Sequence, residues 1–307
     1  MRRIFITGGT GFFGKSMLDY RLRHPEWEWS VAEWVILSRS PERFLSSYPT
    51  LAVQPGISFW RGDVVDFPFP EGRFDAVLHM ASPVQGALGD AETERIIISG
   101  AKRLSEFAHS AGIRNVLFTS SGAVYGKVNG YASEDDGLMP VTGYGRAKQW
   151  VERFLVDEGL EVKTARCFAL VGPYLERGTH FAIGNFIQNC LDGTPIIING
   201  DGSPVRSYLY SDDLVEWLFA ILESGGSGRS YNVGSDEGIS LCGLAEKVRE
   251  VLCSAVPITI LGQKICTPQN FYVPNVSRAK NELGLRVKTC LRDAIRNSAL
   301  LNSRNGK

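Results

Sequence analysis

The sequence predicts an α/β protein: a doubly wound parallel sheet with a smaller C-terminal α/β lobe. Three observations lead there. Short, near-continuous apolar runs alternate with helical patterns through the first half, as strands buried on both faces require. A glycine-rich turn follows the first run and opens a helix. Beyond Gly172 the alternation gives way to longer loops, with helices and short strands mixed.

The strand candidates are "RIFITG", "WVILSRS", "ISFWRGD", "DAVLHMAS", "NVLFTSS" and "VKTARCFALVG". Between them, Ile97, Ala101, Leu104, Ala108 and Ala111 recur on one helical face, and Trp150, Val151, Phe154 and Leu155 do the same. The last third carries the helical stretches "SLCGLAEKVREVL" and "SRAKNEL" and the short strands "PIIING" and "PITIL". A Trp-rich segment, "HPEWEWSVAEW", precedes the second strand and has no functional reading in the sequence.

Composition bounds the answer. The 307 residues suffice for one large or two modest domains, and 44% apolar with 21% charged residues suits a globular chain. Lys plus Arg equals Asp plus Glu at 33 each, so net charge points to neither nucleic acid nor an anionic membrane. No apolar run is long enough to span a bilayer, and the first residues do not read as a signal segment. Six scattered cysteines without C-x-x-C spacing suit reduced thiols in the cytoplasm, and four dispersed histidines make no metal site.

The turn "ITGGTGFFGKS" places Gly8, Gly11 and Gly14 at G-x-x-G-x-x-G spacing. Glycine lets the backbone turn tightly and approach a pyrophosphate, which then sits at the helix N-terminus. The position after a strand and before a helix marks a dinucleotide turn. The second strand ends "ILSRSPERF", with Ser38 and Arg39 where an acid would read the ribose of NAD. That favours NADP(H), with NAD(H) as the alternative. Asp63 ends the third run and serves either the adenine edge or a plain turn. In "TGYGRAK", Tyr144 and Lys148 are four apart and share a helix face. A neighbouring ammonium favours the phenolate of such a tyrosine, suiting it to move a proton on a sugar hydroxyl or ketone.

These motifs together resemble the extended short-chain dehydrogenase/reductase family, and more narrowly its NAD(P)-dependent nucleotide-sugar epimerase/dehydratase group. "TSSGAVYG", "DAVLHMAS", "ARCFALVGPY", "GDGSPVRSYLYSDDL", "YNVGS" and "SRAKNELGL" are similar to the family's landmarks along nearly the whole chain. The resemblance implies a Rossmann domain over 1–172, with segments near 206–235 returning to it, and a nucleotide-sugar-binding lobe over 173–307. It implies Ser121, Tyr144 and Lys148 as the catalytic set. Ser121 would hydrogen-bond the substrate oxygen, and Lys148 would hold the nicotinamide ribose. Thr10, Phe12 and Phe13 would line the pyrophosphate turn, with Val64, Met80, Ala81 and Ser82 also on the cofactor. Gly122, His180, Asn185 and Arg206 would meet the substrate, Arg206 as a clamp on its two phosphates. A nucleotide-diphosphate sugar as substrate and a homodimer also follow from the resemblance. Ser99 and Ala169 depart from the family, which often carries asparagines there.

The reaction narrows at two positions. A dehydratase of this group usually has an Asp-Glu pair directly after the catalytic Ser/Thr, and a decarboxylase usually keeps a Glu. Here Gly122 and Ala123 transfer no protons. The expectation is an NADP(H)-dependent reductase of a nucleotide-linked 4-keto-6-deoxyhexose, as in dTDP-fucose formation. A nucleotide-sugar 4-epimerase with tightly held NAD is the alternative. Dehydration, decarboxylation and cofactor binding without turnover rank below both.

Overall fold

The computed structural model describes residues 2–83, 88–128, 130–179, 181–263 and 270–300. Six strands follow from the N-terminus, with helices between all of them except β3 and β4: β1 (Arg3–Thr7), β2 (Glu33–Ser38), β3 (Ile57–Arg61), β4 (Ala76–His79), β5 (Asn115–Ser121) and β6 (Glu161–Cys167). With Ser230–Val233 they form a seven-stranded sheet in the order Ser230–Val233, β6, β5, β4, β1, β2, β3. β1 is parallel to β2 on one side, Ile4 opposite Trp34, and to β4 on the other, Ile4 opposite Ala76. The strand order reverses between β1 and β4. In such sheets the crevice beyond the carboxyl ends at the reversal is where ligands bind.

One face of the sheet packs on a cluster of phenylalanines. Phe5 lies 5.3 Å from Phe67 and 4.8 Å from Phe107 by ring centroid, and Phe74 meets Phe107 at 5.6 Å. The helix Asp90–Ser110 supplies Ile97, Ala101, Leu104 and Ala108 to this core, all buried. The helix Gly143–Asp157 contributes Val151 and Leu155. Trp150 departs from the apolar face predicted for it: it is partly exposed and stacks on Phe154 at 4.6 Å.

One further expectation is corrected. "VKTARCFALVG" is not one strand. β6 ends at Cys167, and Leu170–Val171 pairs instead with Leu209–Tyr210. The stretch from Cys167 to Val171 is unbroken in apolar residues, so hydrophobicity hides the break. Ser230–Val233, inside the 206–235 stretch, adds a seventh strand that was not among the strand candidates.

The Trp-rich segment has a structural role. Trp34, the second residue of β2, is fully buried, and Trp29 sits in a single 3-10 turn, Glu28–Val31. Trp27, Trp29 and Trp34 surround Phe219 of the helix Ser211–Ser224, at 4.7, 4.9 and 5.6 Å. Arg21 lies 4.9 Å from the Trp34 ring and donates to the carbonyls of Trp29 and Pro55. Burial pushes its guanidinium down to about 10.

The chain divides into two compact units that interleave in sequence. The first holds Met1–Gly126, Gly137–Arg166 and Val215–Tyr231; the second holds Lys127–Asp136, Cys167–Leu214 and Asn232–Lys307. In the second, the helices Ala182–Asp192 and Leu291–Leu300 pack on Leu241–Val251, and Ile196–Ile198 pairs in parallel with Ile258–Ile260. A small sheet orders Ile239–Ser240, Val205–Arg206 and Phe271–Tyr272. Among the described residues no helix is long and apolar enough to cross a membrane.

Phe219 is the ring that the three tryptophans share, so truncation leaves a large void. Phe219→Ala is expected to lower stability by about 3–5 kcal/mol, measured by urea unfolding. A loss under about 1 kcal/mol would show that the cluster is not a packed core.

Candidate active site

The glycine turn joins the ends of β1 and β4. Gly8 has a positive φ of 76°, and a Cβ there would stand 2.7 Å from the backbone of Met80 and Ala81. A Cβ on Gly14 would collide with the Gly9 backbone. Only glycine permits both approaches. Gly11 is the N-cap of the helix Phe12–Arg23 and offers no side chain to its first-turn N–H groups. A Cβ on Gly11 would meet only Gly8 O, at 3.4 Å, so the turn is open beside it. Uncapped N–H groups at a helix start with the backbone exposed beside them suit a pyrophosphate. The residues present therefore fit a dinucleotide. Thr10 is half-buried in this turn, and Phe12 and Phe13 meet edge to face at 5.9 Å.

The end of β2 places Ser38 and Arg39 differently. Ser38 is buried, and its Oγ accepts from Ser40 N at 3.3 Å. The Arg39 side chain is 81% exposed, 4.0 Å from an Asp63 oxygen. Asp63 lies two residues beyond β3, which ends at Arg61 rather than at the aspartate. Its carboxylate accepts from Val65 N and its carbonyl from Asp66 N and Phe67 N, the pattern of a turn acid. Val64 faces the helix Asp90–Ser110 at Gly100, where a Cβ would lie 3.1 Å from it.

At the end of β4, Met80 and Ala81 are held through a side chain on β1. Thr7 Oγ1 accepts from Met80 N at 3.2 Å and from Ala81 N at 3.1 Å, and contacts His79 Nδ1 at 2.8 Å. With two amides on its lone pairs, the Thr7 hydroxyl donates to Nδ1, and the neutral imidazole carries its proton on Nε2. Complete burial, helped by the Lys148 charge, pushes His79 down to about 3. Thr119 Oγ1 in turn donates to His79 O at 3.3 Å. Ser82 follows, its hydroxyl donating to Pro83 O.

Ser121 is the last residue of β5. It is buried, and its Oγ accepts from Ala123 N at 3.2 Å, capping the 3-10 turn Gly122–Tyr125. Gly122 is buried and Ala123 half-buried in that turn. The helix Gly143–Asp157 starts against it. A Cβ at Gly145 would stand 2.7 Å from Ala123 O, so glycine lets the turn after Ser121 meet the helix that carries Tyr144. Thr142 caps this helix by accepting from Gly145 N at 3.1 Å, and Asp90 accepts from Gly143 N at 2.9 Å. One turn on, Lys148 is only 1% exposed. Its Nζ donates to Thr119 O at 2.8 Å and lies 5.6 Å from the Tyr144 ring centroid and 4.8 Å from that of Phe118. A buried ammonium keeps its charge only where carbonyls and ring faces replace water. The sequence-predicted set Ser121, Tyr144 and Lys148 thus falls within one compact unit, on β5 and the helix packed against its exit.

Asn185 and Arg206 fall in the second unit. Arg206 donates from Nη1 to Val205 O at 2.8 Å and Asn270 O at 3.0 Å, and lies 5.5 Å from the Tyr272 ring. Burial lowers its guanidinium from the ordinary range. Asn185 accepts from Gly178 N at 2.8 Å and donates to Thr179 O at 2.6 Å, tying down the segment before its own helix. It lines an open cleft of about 530 Å³ with Phe186, Ile198 and Asn199. His180 lies outside the described residues. Ser99 is half-buried on the helix Asp90–Ser110, and Ala169 is half-buried just beyond β6.

A sheet that reverses at a glycine turn, with a buried Tyr-Lys helix beside a serine, defines an enzyme of the extended short-chain dehydrogenase/reductase type. Residues 4–234 match the model of the NAD dependent epimerase/dehydratase family, and the chain belongs to that family. Among curated proteins it is similar to UDP-glucuronic acid decarboxylase 6 of Arabidopsis thaliana, 27% identical over 95% of this chain and 86% of the relative. Among solved structures it is similar to UDP-glucose 4-epimerase of Thermotoga maritima, with a TM-score of 0.84 at 22% identity, covering 99% and 100% of the two chains. UDP-glucuronic acid 4-epimerase from Bacillus cereus, solved with NAD, also has a TM-score of 0.84, at 20% identity and 99% and 100% coverage.

Two groups beside the site escaped the sequence reading. Thr7 and His79 are ordinary strand residues there, and no spacing links positions 72 apart. Glu152 continues the Tyr144–Lys148 row at i+4, a signal that was present, but its partner Arg166 is announced by nothing nearby. His79 carries a pH consequence. Its folded value lies below the unfolded one, so the unfolded chain takes up more protons between about pH 3 and 6.5 and stability falls as pH drops through that window. At pH 5 the expected loss relative to pH 7.5 is about 2 kcal/mol from this residue. Denaturant unfolding at both values, compared with His79→Gln, checks it; an equal pH loss in the variant refutes the assignment.

Proposed function

We propose that this enzyme interconverts a hydroxyl and a ketone at C4 of a nucleotide-diphosphate hexose, and that its overall reaction is 4-epimerisation. The observation that carries the proposal is the buried Lys148 beneath Tyr144, against a Ser121 turn that continues with Gly122 and Ala123. That arrangement supports proton transfer at one sugar oxygen and offers no carboxylate at the two positions after the serine. This weighs against the decarboxylation named for the sequence relatives. The 4-epimerases among the similar solved structures fit the same reading.

In this reading Gly8, Thr10, Gly11, Phe12, Phe13 and Gly14 hold the pyrophosphate of a nicotinamide dinucleotide, and Met80, Ala81 and Ser82 flank its ring end. Bound there, the nicotinamide supplies the acceptor and donor of hydride. Tyr144 takes the proton from the C4 hydroxyl and returns it to the C4 oxygen after the sugar has presented its other face. Lys148 stabilises the negative charge that develops on Tyr144 Oη and binds the nicotinamide ribose. Ser121 donates a hydrogen bond to the same sugar oxygen. Arg206, whose partners are two neutral carbonyls, is assigned to the substrate phosphates.

A 4-ketoreductase is the second reading, favoured by one observation: β2 ends in Ser38 and an exposed Arg39 rather than an acid. That pair suits the 2′-phosphate of NADP(H), which a reductase draws from the cellular pool.

Purified protein is expected to interconvert UDP- or dTDP-hexoses at C4 without added cofactor and to carry NAD through purification, with Tyr144→Phe inactive. Loss of NADPH absorbance with dTDP-4-keto-6-deoxyglucose, and no epimerisation, would replace this reading with the reductase. Arg39→Asp is expected to move the NADP/NAD affinity ratio at least about tenfold toward NAD. An unchanged ratio removes the argument for the reductase.

A further inference from the structure

The same helix face that carries Tyr144 and Lys148 continues one turn further to Glu152. Glu152 is buried, and Arg166, the penultimate residue of β6, takes both its oxygens: Nε at 3.1 and 3.3 Å, Nη2 at 2.7 Å. The other edge of the guanidinium is used as well. Arg166 Nη1 donates to the Tyr125 hydroxyl at 2.9 Å, and the guanidinium carbon lies 5.0 Å from the Tyr125 ring centroid. Tyr125 is buried and ends the 3-10 turn that Ser121 caps. One planar fork therefore joins three elements: β6, the helix of Tyr144 and Lys148, and the turn of Ser121.

We propose that Arg166, Glu152 and Tyr125 form a positioning clamp that sets the Ser121 turn against the Tyr144–Lys148 helix at the separation proton transfer requires. This rests on the acid–base roles proposed above for Ser121, Tyr144 and Lys148. A buried ion pair contributes little net stability compared with apolar residues of the same volume, so stability alone is a poor account of it. Its geometry is better suited to orientation. Arginine's fork is rigid and bidentate, and here its two edges face the two elements that carry the catalytic side chains. Burial alone would lower the Arg166 guanidinium; the Glu152 carboxylate and the Tyr125 hydroxyl instead hold it above the ordinary arginine range. The Arg166 guanidinium is thus held in its charged form. At the active-site end, the contact it secures is the close approach of Ala123 to Gly145, which tolerates no Cβ.

None of the three residues is assigned to substrate or cofactor, and their effect is expected on turnover rather than binding. Tyr125→Phe removes the link to the Ser121 turn and leaves the ion pair intact. It is expected to lower kcat about tenfold, the cost of one hydrogen bond's worth of misalignment, with KM and cofactor Kd within about twofold. Hydrogen exchange is expected to quicken in the Ser121 turn and stay unchanged in the Asp90–Ser110 helix. Arg166→Lys keeps a charge for Glu152 but loses the fork, and is expected to reproduce the kcat loss. An unchanged kcat in folded Tyr125→Phe overturns the clamp, whatever happens to Tm. If the unaltered protein turns over no nucleotide sugar, the acid–base reading fails and exchange alone decides. Faster exchange confined to the Ser121 turn upholds the clamp; unchanged exchange there overturns it.

Discussion

The site is built on a contact that excludes a side chain: Gly8 at the end of β1 against Met80 and Ala81 at the end of β4. Strand order reverses between these two strands, which stay paired to their last residues, Thr7 opposite His79, and just beyond them the two backbones pass too closely for a Cβ. The Thr7 hydroxyl completes the junction by accepting both amides of the β4 exit. The glycine helix start, the Met80–Ser82 segment and the β5 exit each take their position from this junction.

Outward from that contact, the first unit solves one problem repeatedly, which is how to bury polar groups without leaving them unpaired. His79 is kept neutral and is held by Thr7. Lys148 is kept beside a carbonyl and two ring faces. Arg166 and Glu152 neutralise one another and reach Tyr125. The Thr7–His79 contact ties β1 to β4, Lys148 ties its helix to β5, and Arg166 ties β6 to that helix and to the Ser121 turn. The aromatic cluster of Trp27, Trp29, Trp34 and Phe219 works by ring packing, with the Arg21 guanidinium over Trp34.

Much of this was legible in the sequence because the relevant signals are local. Period and composition marked β1 to β5. Glycine spacing marked the phosphate turn, and the i+4 relation marked Tyr144 and Lys148. Other features were hidden for identifiable reasons. The break between Cys167 and Leu170 lies inside an unbroken apolar run, so no change of composition marks it. Asp63 stands where a strand end was expected, yet its carboxylate closes a turn. Asn185 offers the polar atoms expected of a binding residue, and the structure shows them engaged with Gly178 and Thr179.

The sequence by itself determined the fold class and named the glycine turn and the Tyr144–Lys148 pair as candidates, since each of those two rests on residues within a few positions of one another, whereas Ser121 came from the family resemblance. Only the tertiary structure decided how those residues are supported. Thr7 meets His79 across 72 positions, Arg166 meets Tyr125 across 41, and Phe219 meets tryptophans nearly two hundred positions earlier. Pairings of that kind follow from strand order and helix packing rather than from any local pattern, because a chain's neighbours in space are set by topology and not by spacing.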